Sequence, residues 1–435
     1  MSEVPAPAPA GRVMSVHASM AQFAARSGQL VVGGELLETL ANRVGQTPFC
    51  AYDRGLLRAR VAQQRQALPK AIKLHYAMKA NPMPAAVNFM AGSVDGIDVA
   101  SAGELKVALD ADAGADPLAI SFAGPGKRET ELRQAVAARV LINRESIREV
   151  ELLGAISRNL AMPARVAVRV NPGFERKGSG MKMGGGPKQI GIDVEQLPAL
   201  FASLSTQQLS FEGFHLFAGS HNLRAESICD AQRQRYELAL PLVKIAPRAI
   251  KFLNLGVGFG IRYFPGEQRL DLAPIGENLA ALVERAAPEL PEAALVIELG
   301  RHLVGEPGVC VRRFVDHKVS RSQVFLMTDG GLHHQLAASG NCGQVVRKNC
   351  HHRQQGHRFW SRGGGGGGGA TLHTARPVGR PHEFASGRDW RSAGDIPVGR
   401  LWCVGQFSSL LEPATLRRAP GLNEPTLLGS QPVSR

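Results

Sequence analysis

From residue 53 onward, short apolar or β-branched runs alternate with longer amphipathic stretches, and this alternation limits the possible folds more than any other feature. The strand-like windows are 73–79 (KLHYAMK), 96–101 (GIDVAS), 120–124 (ISFAG), 140–144 (VLINR), 165–171 (RVAVRVN), 211–219 (FEGFHLFAG), 252–258 (FLNLGVG) and 294–300 (ALVIELG). Between them, segments such as "GELKVALDADA", "ESIREVELLGAISRNL" and "IGENLAALVERAAPEL" carry helical periodicity. Strands that alternate with helices pair in parallel, and eight such units predict a closed (β/α)8 TIM barrel in the α/β class, with an open doubly wound sheet as the alternative. A chain of 435 residues has room for more than that. "LVVGG", "TPFCAYD", "GVCVRRFVDHKVS" and "QVFLMTDGG" read as strands with turns, so a β-rich second domain built from both chain ends is expected. The expected boundaries are a tail at 1–29, a β contribution at 30–52, the barrel at 53–301 and the start of the C-terminal β domain at 302–349.

Composition removes several classes. No apolar run reaches the roughly 18 residues of a membrane span. The opening "MSEVPAPAPAGR" has neither a basic n-region nor an apolar h-region and reads as a disordered Pro/Ala-rich tail rather than a signal peptide. Six scattered cysteines lack framework spacing, which points to reduced thiols and a cytoplasmic location. Of the net charge of +14, residues 342–435 supply +8 from 13 Lys/Arg against 5 Asp/Glu, which leaves +6 on the first 341 residues. That balance is ordinary for an enzyme and argues weakly for nucleic acid.

A barrel places reactive groups at the C-terminal ends of its strands. Here those ends hold Lys79, Ser101, Gly124, Asn143, Arg169 with Asn171, Gly219 with Ser220, Gly256 with Gly258, and Glu298 with Arg301. In "KLHYAMKANP" a strand-like run ends in Lys79 just before Asn81-Pro82. A solvated strand end is the plain explanation. The alternative is a nucleophile, because a partly dry barrel mouth disfavours the ammonium form and frees the amine. A free amine suits a Schiff base with pyridoxal phosphate, which also needs a phosphate cradle, an anion facing its pyridine nitrogen and a flat group against its ring. "LGVGFG" (255–260) offers Gly256, Gly258 and Gly260 for the cradle, although a plain turn explains it equally well. "ELGR" (298–301) offers Glu298 for the nitrogen and Arg301 for a carboxylate or phosphate; a surface ion pair is the ordinary reading. His215 and Phe217 lie on one strand face, and either can stack on a ring or serve the core.

In this order, "YAMKANP", "GIDVASAGEL", "HLFAGS", "LGVGFG" and "ELGR" resemble the fold-type III pyridoxal-phosphate decarboxylases, which include diaminopimelate and ornithine decarboxylases. The resemblance runs from about residue 30 to 349. "GMKMGGGPKQIG" and "TDGGLHHQLAASGN" are most similar to the subfamily associated with exosortase A systems. The resemblance implies an alanine racemase-like barrel, pyridoxal 5'-phosphate as cofactor and a small amino acid as substrate. It implies a Schiff base on Lys79, with His215 as the second catalytic residue. Ser220, Gly256, Gly258, Glu298, Gly300 and Arg301 join Lys79 in holding the cofactor. It also implies a homodimer wherever the C-terminal domain is intact, with no metal, nucleic acid or membrane involved. Two departures stand out: Phe217 occupies the position where relatives often carry a ring-stacking histidine, and Val257 interrupts the glycine triplet. An amino-acid racemase on the same barrel, or a regulator that keeps the cofactor without turnover, remains open.

After residue 349 the pattern breaks. "CHHRQQGHRFWSRGGGGGGGATLHTARPVGRPHEF" lacks the acid-bearing cysteine motif and the Gly-Ala-Tyr segment that relatives carry. Back-translating Gly369 to His382 and reading one base later permits "GPLCTPLDLLADRM", and the same shift across Ile396 to Trp402 permits "FQSGAYG". Residues 350–435 are therefore read as an aberrant, frameshifted or disordered segment. Cys342, Cys350, His351 and His352 match no common zinc spacing.

Overall fold

The computed structural model describes residues 21–26, 29–111, 117–171, 188–204, 209–217, 219, 221–262, 266–320, 323–330, 401–405 and 426–429. We label the strands used below in chain order: β1 (Gln29–Val32), β2 (Phe49–Asp53), β3 (Lys73–Ala77), β4 (Gly96–Val99), β5 (Ile120–Phe122), β6 (Leu141–Arg144), β7 (Ala164–Asn171), β8 (Leu209–His215), β9 (Phe252–Asn254), β10 (Ala294–Leu299), β11 (Gly308–Ser320), β12 (Gln323–Thr328), β13 (Leu401–Gly405) and β14 (Thr426–Gly429).

Strands β3 to β10 pair in parallel in the order β7-β8-β9-β10-β3-β4-β5-β6, and the pairing Ile142↔Val166 closes β6 back onto β7. All eight expected strands form, and closure excludes the open sheet. The two-residue period of each strand sorts its side chains. Leu141, Ala167, Phe252 and Val296 make a small buried cluster of their own. Their neighbours Ile142, Val166, Val168, Leu253, Leu295 and Ile297 belong to the large cluster shared with the helices. The first set therefore fills the barrel. Two residues further along the same strands, Asn143, Arg169, Asn254 and Glu298 stand above it, all buried. An apolar plug under a polar layer follows directly from the sequence period.

Several strands stop earlier than their windows. β3 ends at Ala77, and Met78–Ala80 wind into one 3-10 turn that carries Lys79. The Asn81-Pro82 stop explains the break: Tyr76 Oη donates to Asn81 O at 2.8 Å, and Asn81 Oδ1 accepts from Met83 N at 3.2 Å. Lys79 therefore sits on a turn just past the strand, not on the strand itself.

β8 contains a register shift between Phe211 and Gly213. Gly213 has φ +150, and a Cβ there would lie 1.8 Å from Phe252 O. Only glycine fits so close a backbone approach. Gly213→Ala should cost about 3 kcal/mol or more through overpacking and strain. Chemical denaturation reads this as a lower midpoint; an unchanged midpoint would mean the backbone yields freely at this point.

The second sheet has the order β12-β11-β2-β14, with β13 also on β11, and its pairings are antiparallel. It joins a segment before the barrel to segments after it. β13 and β14 come from the 350–435 stretch; Cys342, Cys350, His351, His352 and most of that stretch lie outside the described residues. One face of the β2–β11 pair packs Phe49, Ala51, Val309 and Val311 with Leu30 and Val32 of β1 and with the helix Leu37–Val44. The other face packs Cys50, Tyr52 and Cys310 against Met83 and Ala86, beside the Lys79 turn.

Candidate active site

Glu298 lies near the C-terminal end of β10, directly beside β3 in the closed barrel. Its carboxylate is buried, and its Oε1 is 3.6 Å from Lys79 Nζ. Its other oxygen is 3.3 Å from His215 Nε2 on β8. Burial alone raises the Glu298 carboxyl, but Lys79, His215 and Arg169 outweigh it and hold the group well below the usual carboxylate range. Glu298 is thus a fixed anion at the barrel mouth. Lys79 is more open than a dry site implies, with its side chain 41% exposed.

His215 and Phe217 divide the two roles left open by the sequence. His215 is buried against Glu298, while the Phe217 ring lies 5.7 Å from Lys79 Nζ. Arg169 also lies over that ring, 5.9 Å from its centroid. It is fixed in place by Glu145, whose Oε1 accepts from Arg169 Nη1 at 3.2 Å and from Gly124 N at 2.6 Å. Among the described residues neither ring nitrogen of His215 has a hydrogen-bond partner, so its approach to Glu298 is an electrostatic contact.

The glycine loop is stitched to the segment after β8. Gly258 N donates to Gly219 O at 3.0 Å, Asn222 N to Gly258 O at 3.0 Å, and Gly260 N to Asn222 O at 2.7 Å. Gly256 N donates to Asn254 Oδ1 at 2.7 Å. Three of the loop's glycine amides are thus engaged within the protein, which holds the loop's shape. A Cβ at Gly256 would fall 2.8 Å from Asn254 Oδ1 and 2.9 Å from the Phe217 ring. Gly300 packs on the lysine turn, where a Cβ would lie 2.9 Å from Ala77 O. Arg301 opens the short helix Arg301–Val304 next to Gly300. Ser220 lies outside the described residues.

Four residues here escaped sequence reasoning: Glu104, Glu145, Asn254 and His302. Glu104 reads as a helix cap after Ser101, and it does accept Ala100 N at 2.7 Å. Burial raises its carboxyl, offset by that amide and by Lys79, so it belongs to the same electrostatic neighbourhood. His302 contacts Gln64 Nε2 and Gly260 O, each at 2.9 Å. The amide nitrogen is a donor, so His302 Nε2 accepts from it and Nδ1–H donates to Gly260. Burial and the Arg60 charge lower His302 to about 4, which keeps it in that neutral form. Asn254 was detectable, since it stands two residues before Gly256 on the inward strand face.

A parallel barrel with an amine, an ionised buried carboxylate and an aromatic ring at its mouth defines an α/β-barrel enzyme of amine and carbonyl chemistry. A family model described as "Pyridoxal-dependent decarboxylase, pyridoxal binding domain" matches residues 54–305, and the chain belongs to this family of pyridoxal-dependent decarboxylases. It is 33% identical over 307 residues to the L-glutamyl-[BtrI acyl-carrier protein] decarboxylase of Niallia circulans, covering 70% of this chain and 71% of that protein. It is 31% identical to the diaminopimelate decarboxylase of Aquifex aeolicus, covering 72% and 73%. Among solved structures, AQ1208 from Aquifex aeolicus matches with a TM-score of 0.61 at 28% identity, covering 72% of this chain and 74% of that one.

The residues present fit pyridoxal phosphate. An amine stands beside a carboxylate that stays ionised, and an apolar ring faces the amine.

Proposed function

We propose that this chain decarboxylates a small amino acid with pyridoxal phosphate held on Lys79. The observation that carries this reading is the 3.6 Å approach of Lys79 Nζ to the ionised, buried Glu298 within the segment matched by the family. When bound, the cofactor supplies an electron sink for the bonding pair that departing carbon dioxide leaves behind. Lys79 would hold the cofactor covalently through its amine. Glu298 would keep the ring nitrogen protonated, and His215 would hold Glu298 in place. Phe217, which faces Lys79, would be the ring against the cofactor in place of His215. Ser220, the loop around Gly256 and Gly258, Gly300 and Arg301 would hold the phosphate.

The relatives act on diaminopimelate and on a glutamyl group carried by a protein, so carboxyl-labelled diaminopimelate, lysine, ornithine and glutamate are the substrates to assay. Release of labelled carbon dioxide supports the proposal. Exchange of the Cα hydrogen without carbon dioxide would favour the racemase reading. Gly256→Ala should weaken cofactor affinity about tenfold by forcing the Phe217 ring and Asn254 aside, measured by reconstituting the apo-protein; unchanged affinity would remove Gly256 from the cradle.

Four finer statements belong to the same proposal. The two motifs similar to exosortase-associated decarboxylases, which lie largely outside the described residues, support membership of that subfamily. It works in the cytoplasm. Its reading frame is altered after about residue 349, which removes the acid-bearing cysteine motif. Restoring the frame in the gene should raise turnover and produce a homodimer; equal activity and size in both forms would refute the frameshift.

A further inference from the structure

β2 and β11 are antiparallel neighbours, and their register sets Cys310 directly opposite Cys50. The phase of the ladder follows from one bond at its end. Asp53 N donates to Pro307 O at 2.9 Å, one step beyond the Tyr52↔Gly308 pair. Directly opposed residues that exchange such bonds alternate with opposed residues that do not. Asp53/Pro307 and Ala51/Val309 are therefore the hydrogen-bonded positions, and Cys50/Cys310 is a non-hydrogen-bonded one. In such positions Cα atoms lie about 4.5 Å apart and the side chains are closest. That separation falls inside the roughly 4.4–6.8 Å that a disulfide spans. Both cysteines carry free thiols and face the same way, into the cluster with Tyr52, Met83 and Ala86.

We infer that Cys50 and Cys310 are an oxidation site: a peroxide-class oxidant converts this cross-strand pair of thiols into an intramolecular disulfide. The environment assigns the order of attack. Cys310 receives a hydrogen bond from the Cys50 thiol and lies near the Arg312 guanidinium, which together outweigh its burial and lower its pKa. Cys50, as the donor and buried, is raised. Cys310 is therefore the thiolate that meets peroxide. Its sulfur bonds to one peroxide oxygen, the O–O bond breaks, and the leaving hydroxide takes up the proton that Cys310 released on ionising, which makes the first water. The Cys50 sulfur then attacks the Cys310 sulfenic acid, and the displaced hydroxyl leaves with the Cys50 proton as a second water. Two thiols lose two protons and two electrons, and one peroxide becomes two waters. Cys310 is itself only 1% exposed, so a small oxidant reaches the pair from the side of Cys50, which keeps 8% of its surface open.

The bond would tie the strand before the barrel to the strand after it, beside the helix that follows Lys79. Sequence spacing hides this pair, since its members are separated by the whole barrel.

The test treats the reduced full chain with stoichiometric hydrogen peroxide, alkylates remaining thiols in denaturant and maps peptides without reduction. The expected product is one cross-linked species joining the Cys50 and Cys310 peptides, reversed by dithiothreitol, with a higher thermal midpoint than the reduced chain. Cys229→Ala should leave the cross-link intact, whereas Cys50→Ala or Cys310→Ala should abolish it. Recovery of both cysteines alkylated after prolonged exposure would overturn the inference. So would a bond from Cys310 to Cys403, which is carried by β13 on the other side of β11.

Discussion

Lys79→Ala is expected to lower kcat/KM for decarboxylation by roughly a thousandfold or more, the scale seen when a covalent nucleophile is removed. The reasoning starts from position. Lys79 stands on a 3-10 turn at the end of β3, its amine 3.6 Å from Glu298 and over the face of Phe217. By contrast, Lys127 is itself buried and is tied to Gly124 O at 2.7 Å and to the buried Glu149 at 3.0 Å. Lys79→Arg separates charge from nucleophilicity. Arginine keeps a cation beside Glu298 but cannot form the carbon–nitrogen bond. If Lys79 acts covalently, Arg and Ala variants fail alike. If it only neutralises Glu298, the Arg variant keeps activity within about tenfold of the parent, and the account of the site is wrong.

Glu298→Gln should lower kcat by about 10²–10³-fold, comparable to losing one preorganised electrostatic partner, while the cofactor still attaches to Lys79. Glutamine keeps the shape and loses the charge that, in the proposed role, would hold a proton on the ring nitrogen. The same substitution has a second readout in the apo-protein. Glu298's carboxyl is held well below its ordinary range when folded. Its contribution to stability is therefore present above the unfolded carboxyl pKa of about 4.3 and is lost as pH falls toward the depressed folded value. The parent should lose more stability than Glu298→Gln on going from about pH 5 to pH 3. Parallel acid profiles would show that Lys79, His215 and Arg169 do not hold the charge as described.

The barrel was legible because its strands are buried on both sides: runs such as Leu74 to Ala77 and Val166 to Val170, apolar except for His75 and Arg169, suit parallel strands covered on both faces. The candidate site was legible in outline because strand ends gather at one face, which puts Lys79, Gly256, Glu298 and Arg301 near one rim. What remained hidden depends on tertiary approach. Asn81-Pro82 announces a stop but not that the chain leaves the strand as early as Met78, and nothing local tells that Gly300 is glycine because Ala77 O passes beneath it. The split between His215 and Phe217 was also unreadable, because the 211–219 window puts both on one face, whereas β8 ends at His215 and leaves Phe217 past the strand. There His215 meets Glu298 while Phe217 meets the amine. Glu104 was disguised by its second task as a helix cap.

The most direct measurement is borohydride reduction of the chain loaded with pyridoxal phosphate, followed by proteolysis and mass mapping. A pyridoxyl group on the peptide containing Lys79, and on no other lysine, is the predicted result. A label on a different lysine, or none on folded protein that has taken up the cofactor, would contradict the assignment of this amine and the mechanism built on it.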